Sequence, residues 1–254
     1  MIVVKVGGGA LAGGALEDLT EILSSGTPVT LVHGGGPSLT RMLDALGIPT
    51  RFHEGLRVTD ERTLEVAEMV FAGQVNKGLA RELNSLGVPA VGISGTDGPT
   101  LLVEPIEGLG RVGEVIEVDT KLIETLSGGG FVPTIAPLGV GPVGGSVGAY
   151  NVNADMAAAA ISNALGASHL FLMTDVDGFL KDGEVVSRIS LGEYESYIES
   201  GLAEGGMAPK LRAAARAARG GVEARILNGN KKGSLAKALA GEEVGTLISE
   251  GEAA

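Results

Sequence analysis

The first apolar segment of the chain contains a lysine and runs directly into glycines. Lys5 lies within Ile2–Val6, whose other residues are all β-branched, a pattern typical of a strand buried on both faces. Burying an ammonium group is costly unless an anion lies opposite it. Gly7, Gly8 and Gly9 follow at once. The segment therefore raises the question of which anion Lys5 faces.

A second glycine-rich turn follows the next apolar run. His33 and Gly34–Gly36 come directly after Val29–Val32. Neither turn fits a dinucleotide site, because no acidic residue closes the second strand, and the sequence contains no Walker A motif. Glycine also suits tight turns for purely steric reasons. Two such turns on successive strands, the first after a buried lysine, favour a site for phosphoryl oxygens bound by backbone N–H groups.

Predicted strands alternate with predicted helices, which indicates an α/β protein: a three-layer α/β/α sandwich with a mostly parallel central sheet. Residues 98–118 are predicted to form a hairpin excursion, and residues 139–145 a glycine-rich break. We expect strands at Ile2–Val6, Val29–Val32, Val88–Ile93, Phe131–Ile135, His169–Met173 and Ala224–Leu227. We expect helices at Leu16–Ser24, Ser38–Leu46, Glu61–Leu86, Lys121–Ser127, Ala154–Leu165 and Met207–Arg219.

The composition argues against several classes of protein. The formal net charge is -12 and the basic residues form no stripe, which argues against nucleic acid and anionic membranes as partners. The absence of cysteine excludes disulfides and thiolate catalysis and fits a cytoplasmic protein. The three histidines lack the spacing of paired zinc ligands. No apolar run reaches the length of about 18 residues that favours a transmembrane helix.

Seven motifs follow one another along the chain: VVKVGGG, LVHGGGPSL, GLRVTDERTLEVAEMVFAGQVNK, GISGTDG, YNVNADMAAA, LFLMTDVDGFL and GGMAPKLRAA. In this order and spacing the chain resembles the amino-acid kinase family from Ile2 to about Gly245, and within it the N-acetylglutamate kinases. The resemblance implies one domain over residues 1–254, with an acceptor-substrate lobe at about 1–165 and a nucleotide lobe at about 166–254.

The resemblance also implies an activity. Members of this group transfer the γ-phosphoryl group of ATP to the side-chain carboxylate of N-acetyl-L-glutamate, a step of arginine biosynthesis. The expected cofactor is ATP with Mg²⁺. Because no cluster of residues resembles an all-protein metal site, we expect Mg²⁺ to be held through the phosphates and water.

Three charged residues carry the implied catalysis. Phosphoryl transfer between two anions needs mainly charge neutralisation and alignment. By resemblance, Lys5 faces the transferring group, with the Gly7 and Gly8 amides beside it, and Lys210 stands on the leaving-group side. Asp155 positions both lysines, as a carboxylate between two ammonium groups can do. Without the resemblance, Lys210 would be interpreted as an ordinary solvated lysine on a helix, and Asp155 as an ordinary carboxylate at the start of a helix.

The acceptor site is implied in the same way. Arg57 is the motif arginine that would hold the unreactive carboxylate of N-acetylglutamate, because a planar guanidinium can bind both oxygens. Asn151 would assist from across the cleft, and the Gly35 and Gly36 amides would meet the substrate or the phosphoryl group. His33 is expected to be structural, because a carboxylate acceptor has no proton to remove near neutral pH.

The nucleotide is expected over the second lobe, where a predicted strand ends. The Asp-x-Asp-Gly sequence at 175–178 would also suit a simple turn. The residues that the resemblance assigns to the nucleotide are Asp175, Val176, Asp177, Gly178, Phe179, Leu180, Leu202, Ala203 and Glu204.

A homodimer is expected from the predicted helix Glu61–Leu86. Its apolar residues are spread over more than one face, so that one face can cover the sheet while another remains free. The family resembled here uses a helix at this position to join two subunits.

Two alternative functions stay open. One is the kinase that acts on 2-aminoadipate or glutamate linked to an acidic carrier protein, although residues 151–155 read NVNAD where that kinase usually has Asn-x-Asp-Gly-Asp. Residues 104–111 also contain more acids than bases, which does not favour an acidic carrier. The other is a non-catalytic amino-acid sensor on the same fold, which should have lost a charged site residue, whereas Lys5, Asp155 and Lys210 are all present.

Overall fold

The computed structural model describes residues 1–7, 15–203 and 205–251, so that Gly8 and Glu204 lie outside the described residues. Its strands are β1 Ile2–Val6, β2 Val29–His33, β3 Phe52–His53, β4 Leu56–Arg57, β5 Ala90–Ser94, β6 Leu101–Pro105, β7 Val112–Val118, β8 Val132–Ala136, β9 Leu138–Val143, β10 Ser146–Val152, β11 His169–Thr174, β12 Leu180–Lys181, β13 Glu184–Val185, β14 Arg188–Ser190, β15 Glu223–Asn228 and β16 Thr246–Ser249. Its α-helices are α1 Ala15–Ser24, α2 Gly36–Ala45, α3 Glu61–Glu68, α4 Asn76–Ser85, α5 Lys121–Gly128, α6 Ala154–Ala164, α7 Tyr194–Glu199, α8 Met207–Arg219 and α9 Ser234–Leu239.

A central sheet has the strand order β14-β16-β15-β11-β1-β2-β8-β5. Neighbouring strands from β15 to β5 pair in parallel, and β16 runs antiparallel to β15. Strands β1 and β2 are buried along their whole length, because α6 and α8 cover one face of the sheet while α1, α4 and α9 cover the other. The predicted α/β fold with a mostly parallel sheet is confirmed.

The glycine-rich break predicted at 139–145 is wrong, because this segment belongs to a β-hairpin. Strands β9 and β10 pair in antiparallel fashion and close a small barrel with β6 and β7. Gly144 and Gly145, with φ of 53° and 85°, form its two-residue turn. Gly139 is needed for packing, since a Cβ there would lie 2.5 Å from Val103 Cγ1. The glycines therefore permit close packing and a tight turn, and they do not interrupt the strands.

The single helix predicted at Glu61–Leu86 is also wrong in detail. It consists of α3, a π-helical segment at Met69–Val75 and α4, in direct succession. The side chain of Asp60 caps α3 by accepting a hydrogen bond from the Thr63 N–H. The other predicted helices and the predicted strands of the central sheet begin and end within two residues of the observed bounds. In the described ranges no helix is both long and apolar enough to cross a membrane.

A buried polar network joins the start of α4 to the sheet. The Asn76 Nδ2 atom lies 2.8 Å from the Thr134 carbonyl oxygen and 3.0 Å from both the Ile93 carbonyl oxygen and His33 Nε2. His33 is 1% exposed, and its Nδ1 lies 2.8 Å from the Gly34 carbonyl oxygen. Burial lowers the pKa of His33 to about 4, an effect that the Gly34 carbonyl opposes. His33 is therefore neutral near pH 7.

This network predicts a pH dependence of stability. The unfolded histidine binds a proton near its ordinary pKa of 6.5, whereas the folded one does so only near 4. The stabilisation is thus present above pH 6.5 and is lost as the pH falls towards 4. Between pH 7 and pH 5 the free energy of unfolding should fall by about 2 kcal/mol more in the wild type than in His33→Gln. Urea denaturation of both proteins at both pH values measures this difference, and parallel changes would contradict it.

Candidate active site

The strand alternation of β1 decides where Lys5 points. Successive side chains of a strand face opposite sides of the sheet. Ile2, Val4 and Val6 pack with α1, α4 and α9, whereas Val3 packs with α6 and α8. Lys5 shares the face of Val3 and is 6% exposed. The lysine is therefore buried, as its sequence context predicts, at the end of β1 and beneath α6 and α8.

Asp155 is the anion that Lys5 faces. Lys5 Nζ lies 2.8 Å from Asp155 Oδ1, and Lys210 Nζ lies 3.0 Å from Asp155 Oδ2. These three side chains come from β1, α6 and α8, and each is at most 12% exposed. Two ammonium groups around one carboxylate leave one positive charge in excess. The arrangement can therefore attract and hold a further anion.

The charge states of Asp155 and Lys210 depend on two opposing effects, burial and ion pairing. Burial, the largest single effect, raises the pKa of the Asp155 carboxyl, but Lys5 and Lys210 together outweigh it and hold this pKa below its usual value. Burial lowers the pKa of Lys210, while the Asp155 carboxylate opposes that change. The Asp155 carboxylate is therefore charged at neutral pH, and its position between the lysines depends on that charge.

Asn153 fixes the start of α6 and thereby the place of Asp155. Its Oδ1 accepts hydrogen bonds from the Asp155 N–H at 3.0 Å and the Met156 N–H at 3.1 Å. This is an ordinary N-cap, and it places Asp155 in the first turn, where a carboxylate is favoured. The sequence interpretation missed Asn153, although an asparagine directly before an alanine-rich run is a recognisable helix-start signal.

Arg57 is buried and is paired with neutral atoms. Its guanidinium donates to Thr40 Oγ1 at 2.8 Å, Thr50 Oγ1 at 3.1 Å and the Gly36 carbonyl oxygen at 3.3 Å. The guanidinium carbon also lies 4.8 Å from the centre of the Phe52 ring. Burial lowers the pKa of Arg57, but the charge of a guanidinium persists at neutral pH. These contacts orient the group without neutralising it.

A cavity of about 200 Å³ lies between these charged groups. Six predicted site residues line it: Lys5, Gly35, Gly36, Arg57, Asn151 and Asp155. Lys210 does not line the cavity but forms a salt bridge with Asp155, which does. Gly7 is the residue directly after β1. The structure thus brings together the residues that the resemblance assigns to the acceptor substrate and to catalysis.

Thr59 links the two sides of this cavity and was missed from the sequence. The Asn151 Nδ2 group donates to Thr59 Oγ1 at 3.0 Å, and Thr59 Oγ1 donates to the Arg57 carbonyl oxygen at 2.9 Å. Thr59 is fully buried. No sequence pattern marks it, because the contact joins segments that are 92 residues apart.

The predicted nucleotide residues lie mainly at the carboxyl ends of β11 and β15. Asp177 accepts a hydrogen bond from Asn228 at 2.7 Å and forms a salt bridge with Lys231 at 2.7 Å. Phe179 packs in the core, 5.0 Å from the Tyr197 ring centre, and its N–H donates to Thr246 Oγ1. The side chain of Phe179 therefore anchors this segment to the core.

The remaining nucleotide assignments differ in exposure. Asp175, Leu180 and Leu202 are exposed, Val176 is half-buried, and Gly178 and Ala203 are buried. In the described ranges no three histidine, aspartate or glutamate side chains converge into a metal site.

The chain is similar to known proteins in sequence and in fold. The profile of the amino acid kinase family matches residues 1–228. The chain is 67% identical over 249 residues to the acetylglutamate kinase of Rubrobacter xylanophilus, covering 98% of this chain and 97% of that protein. It is 40% identical over 256 residues to the acetylglutamate kinase of Kosmotoga olearia, covering 97% and 90%. The crystal structure of smu.665 from Streptococcus mutans superposes with a TM-score of 0.86 at 27% identity, covering 98% of both chains. Because the family match spans most of its length, this chain belongs to the amino acid kinase family.

Proposed function

We propose that this chain is an ATP-dependent kinase that transfers the γ-phosphoryl group of ATP to the side-chain carboxylate of N-acetyl-L-glutamate. The observation that carries the proposal is a cavity lined by Lys5, Asp155 and the unneutralised Arg57, with Lys210 paired to Asp155. The full-length relatives named acetylglutamate kinase support this choice of acceptor.

The positive charges of Arg57 and Lys5 determine the orientation of the bound acceptor. N-acetylglutamate carries two carboxylates, one to be held and one to react. Arg57 suits the first, because its planar fork can donate to both oxygens of a carboxylate at once. Lys5 suits the second, because its buried ammonium group lies at the end of β1, where the glycine turn begins. The acceptor then spans the cavity from Arg57 to Lys5, with Asn151 on its side wall.

The transfer itself needs positive charge and alignment. One oxygen of the acceptor carboxylate forms a bond to the γ-phosphorus as the bond from this phosphorus to the β–γ bridging oxygen breaks, and ADP leaves. Lys5 offsets charge on the acceptor side and Lys210 on the leaving-group side, while Asp155 binds and positions both ammonium groups. The acceptor oxygen carries no proton near pH 7, so the reaction needs no general base.

The remaining parts of the proposal concern the nucleotide and the cell. ATP lies over residues 166–254, against Asp175–Leu180 and Leu202–Ala203, and the acceptor binds in residues 1–165. Mg²⁺ enters on the phosphates of ATP, and we assign no side chain of the chain to it. The product belongs to arginine biosynthesis, and the protein works as a homodimer in the cytoplasm.

Replacing either lysine should reduce the rate far more than the affinity. Lys5→Met and Lys210→Met keep the length of the side chain but remove a charge that opposes charge build-up in the transition state. We expect kcat to fall by about 10²-fold or more, with KM values changed only a few-fold. Steady-state kinetics measure this, with Lys121→Met, at the exposed start of α5, as the matched control. Near-normal kcat in either site variant would remove that lysine from the mechanism.

Replacing Arg57 by lysine should separate the two substrates. The variant keeps a positive charge but loses the planar fork, so KM for N-acetylglutamate should rise about tenfold while KM for ATP stays within about twofold. Arg62→Lys, on the exposed side of α3, is the control. An equal rise of both KM values would mean that Arg57 supports the fold and does not bind the acceptor.

The homodimer depends on the outer side of α3, the π-helical segment and α4. Most apolar side chains here are buried within the chain, but Met69 is 63% exposed and Leu86 is 47% exposed. We expect sedimentation to show a dimer at micromolar concentration and Met69→Glu to weaken it. Val147→Glu, at an equally exposed position of β10, should leave the dimer intact. A stable wild-type monomer would refute the proposed assembly.

A further inference from the structure

The π-helical segment and the residue after it place two side chains at the end of β2, with Phe71 against Gly35 and Asn76 against His33. Phe71 lies within this segment, and Asn76 follows it directly. In an α-helix, residues five apart point about 140° away from each other. In a π-helix, hydrogen bonding from i to i+5 brings such residues close to one side. The local change of helix type therefore allows Phe71 and Asn76 to reach the same end of the sheet.

Asn76 determines the tautomer of His33. Its Nδ2 group lies within hydrogen-bond distance of the carbonyl oxygens of Ile93 and Thr134, so the opposite orientation of the amide would set oxygen against two oxygens. His33 Nε2 lies 3.0 Å from this nitrogen and therefore carries no proton, because an amide nitrogen donates hydrogen bonds but does not accept them. The ring is neutral, as its lowered pKa requires, and its proton is then on Nδ1.

His33 in turn determines the direction of the next peptide group. Its Nδ1–H donates to the Gly34 carbonyl oxygen at 2.8 Å, on the buried side of the turn. A trans peptide is planar, with its C=O and N–H in opposite directions. The Gly35 N–H is therefore directed away from His33. Within the described residues this N–H has no hydrogen-bond acceptor, and Gly35 lines the acceptor cavity.

The ring of Phe71 packs against Gly35 and restricts where this residue can lie. A Cβ on Gly35 would lie 2.7 Å from Phe71 Cδ1, so the glycine backbone already packs directly on the ring. The Gly34 N–H donates to the Val6 carbonyl oxygen at 2.9 Å, which ties the other end of the turn to β1. The turn thus lies between fixed points on β1, His33 and the π-helical segment.

We propose that His33 and Asn76 are positioning residues that direct the Gly35 N–H into the acceptor cavity, where it donates to an oxygen of the acceptor carboxylate or of the transferring phosphoryl group. They act through the Gly34 carbonyl and touch no substrate. This inference rests on the proposed function and goes beyond it, because it makes a buried histidine and the helix behind it part of acceptor recognition.

Two substitutions of His33 separate its two hydrogen bonds. The amide of asparagine reaches the position of Nδ1, and the amide of glutamine reaches that of Nε2. His33→Asn can still donate to Gly34 but removes the acceptor that Nε2 offers to Asn76, which then keeps only the Ile93 and Thr134 carbonyl oxygens. His33→Gln can still accept from Asn76 but leaves the Gly34 carbonyl free to turn.

The two variants should lose different properties, activity in His33→Gln and thermal stability in His33→Asn. His33→Gln should lower kcat/KM for N-acetylglutamate about tenfold, with KM for ATP and the melting temperature close to those of the wild type. His33→Asn should keep kcat/KM within about threefold and lose thermal stability. Steady-state kinetics varied in each substrate, together with thermal denaturation at pH 7.5, measure both. Unchanged kcat/KM in His33→Gln, or equal losses of activity and stability in both variants, would overturn the inference.

Two further controls make every outcome decisive. If the wild type forms no acyl phosphate on N-acetylglutamate, the proposed function fails and the inference fails with it. If the wild type is active, only the inference is at stake. Should His33→Gln not fold, Phe71→Leu replaces it, since this change loosens the packing on Gly35 and leaves both ring hydrogen bonds intact. Lower acceptor kcat/KM in Phe71→Leu, with retained activity in His33→Asn, supports the inference, and the reverse pattern refutes it.

Discussion

The salt bridges from Lys5 and Lys210 to Asp155 bring three charges together where water has little access. Each ammonium group loses hydration on burial, and the single carboxylate compensates both only if it lies between them. The fold must therefore deliver three side chains from β1, α6 and α8 to one point. The Asn153 cap fixes α6 at its first turn, and the packing of α6 on α8 brings Lys210 within reach. The remaining positive charge is what makes the place suitable for a phosphoryl group.

The parallel sheet explains why the other parts of the site lie nearby. In parallel strands all carboxyl ends meet at one edge, so the carboxyl ends of β1, β2, β11 and β15 are neighbours in space. Gly7, the Gly34–Gly36 turn, Asp177 and Asn228 follow from this arrangement. The small barrel of β6, β7, β9 and β10 supplies the opposite wall of the cavity through Asn151. Residues of the central sheet and of the small barrel thus line one cavity.

Neutral hydrogen-bond partners position the side chains of the site, as the charged partners do. The hydroxyl groups of Thr40 and Thr50 hold the guanidinium of Arg57 and leave its charge available to a ligand. His33 is held neutral beside Lys5, so it adds no positive charge behind the glycine turn. The amide nitrogen of Asn76 lies within hydrogen-bond distance of three acceptors at the point where the helix changes from π to α. Such buried polar groups favour one arrangement, because another would break these hydrogen bonds, although Asn76 Oδ1 is buried without a hydrogen-bond partner.

The sequence alone determined the α/β class, six of the eight strands of the central sheet to within two residues and the identity of the charged residues, but it did not predict β14 and β16. It could do so because apolar periodicity, glycine turns and the motif order are local signals. Only the tertiary structure decided that Asp155 lies between Lys5 and Lys210, that Thr59 joins Asn151 to the segment of Arg57, and that His33 and Asn76 meet behind the glycine turn. These contacts join distant segments, and no local pattern encodes them. The same holds for the hairpin at 139–145 and for the π-helical segment, where packing against neighbours overrides the local preference of glycine and of the helix.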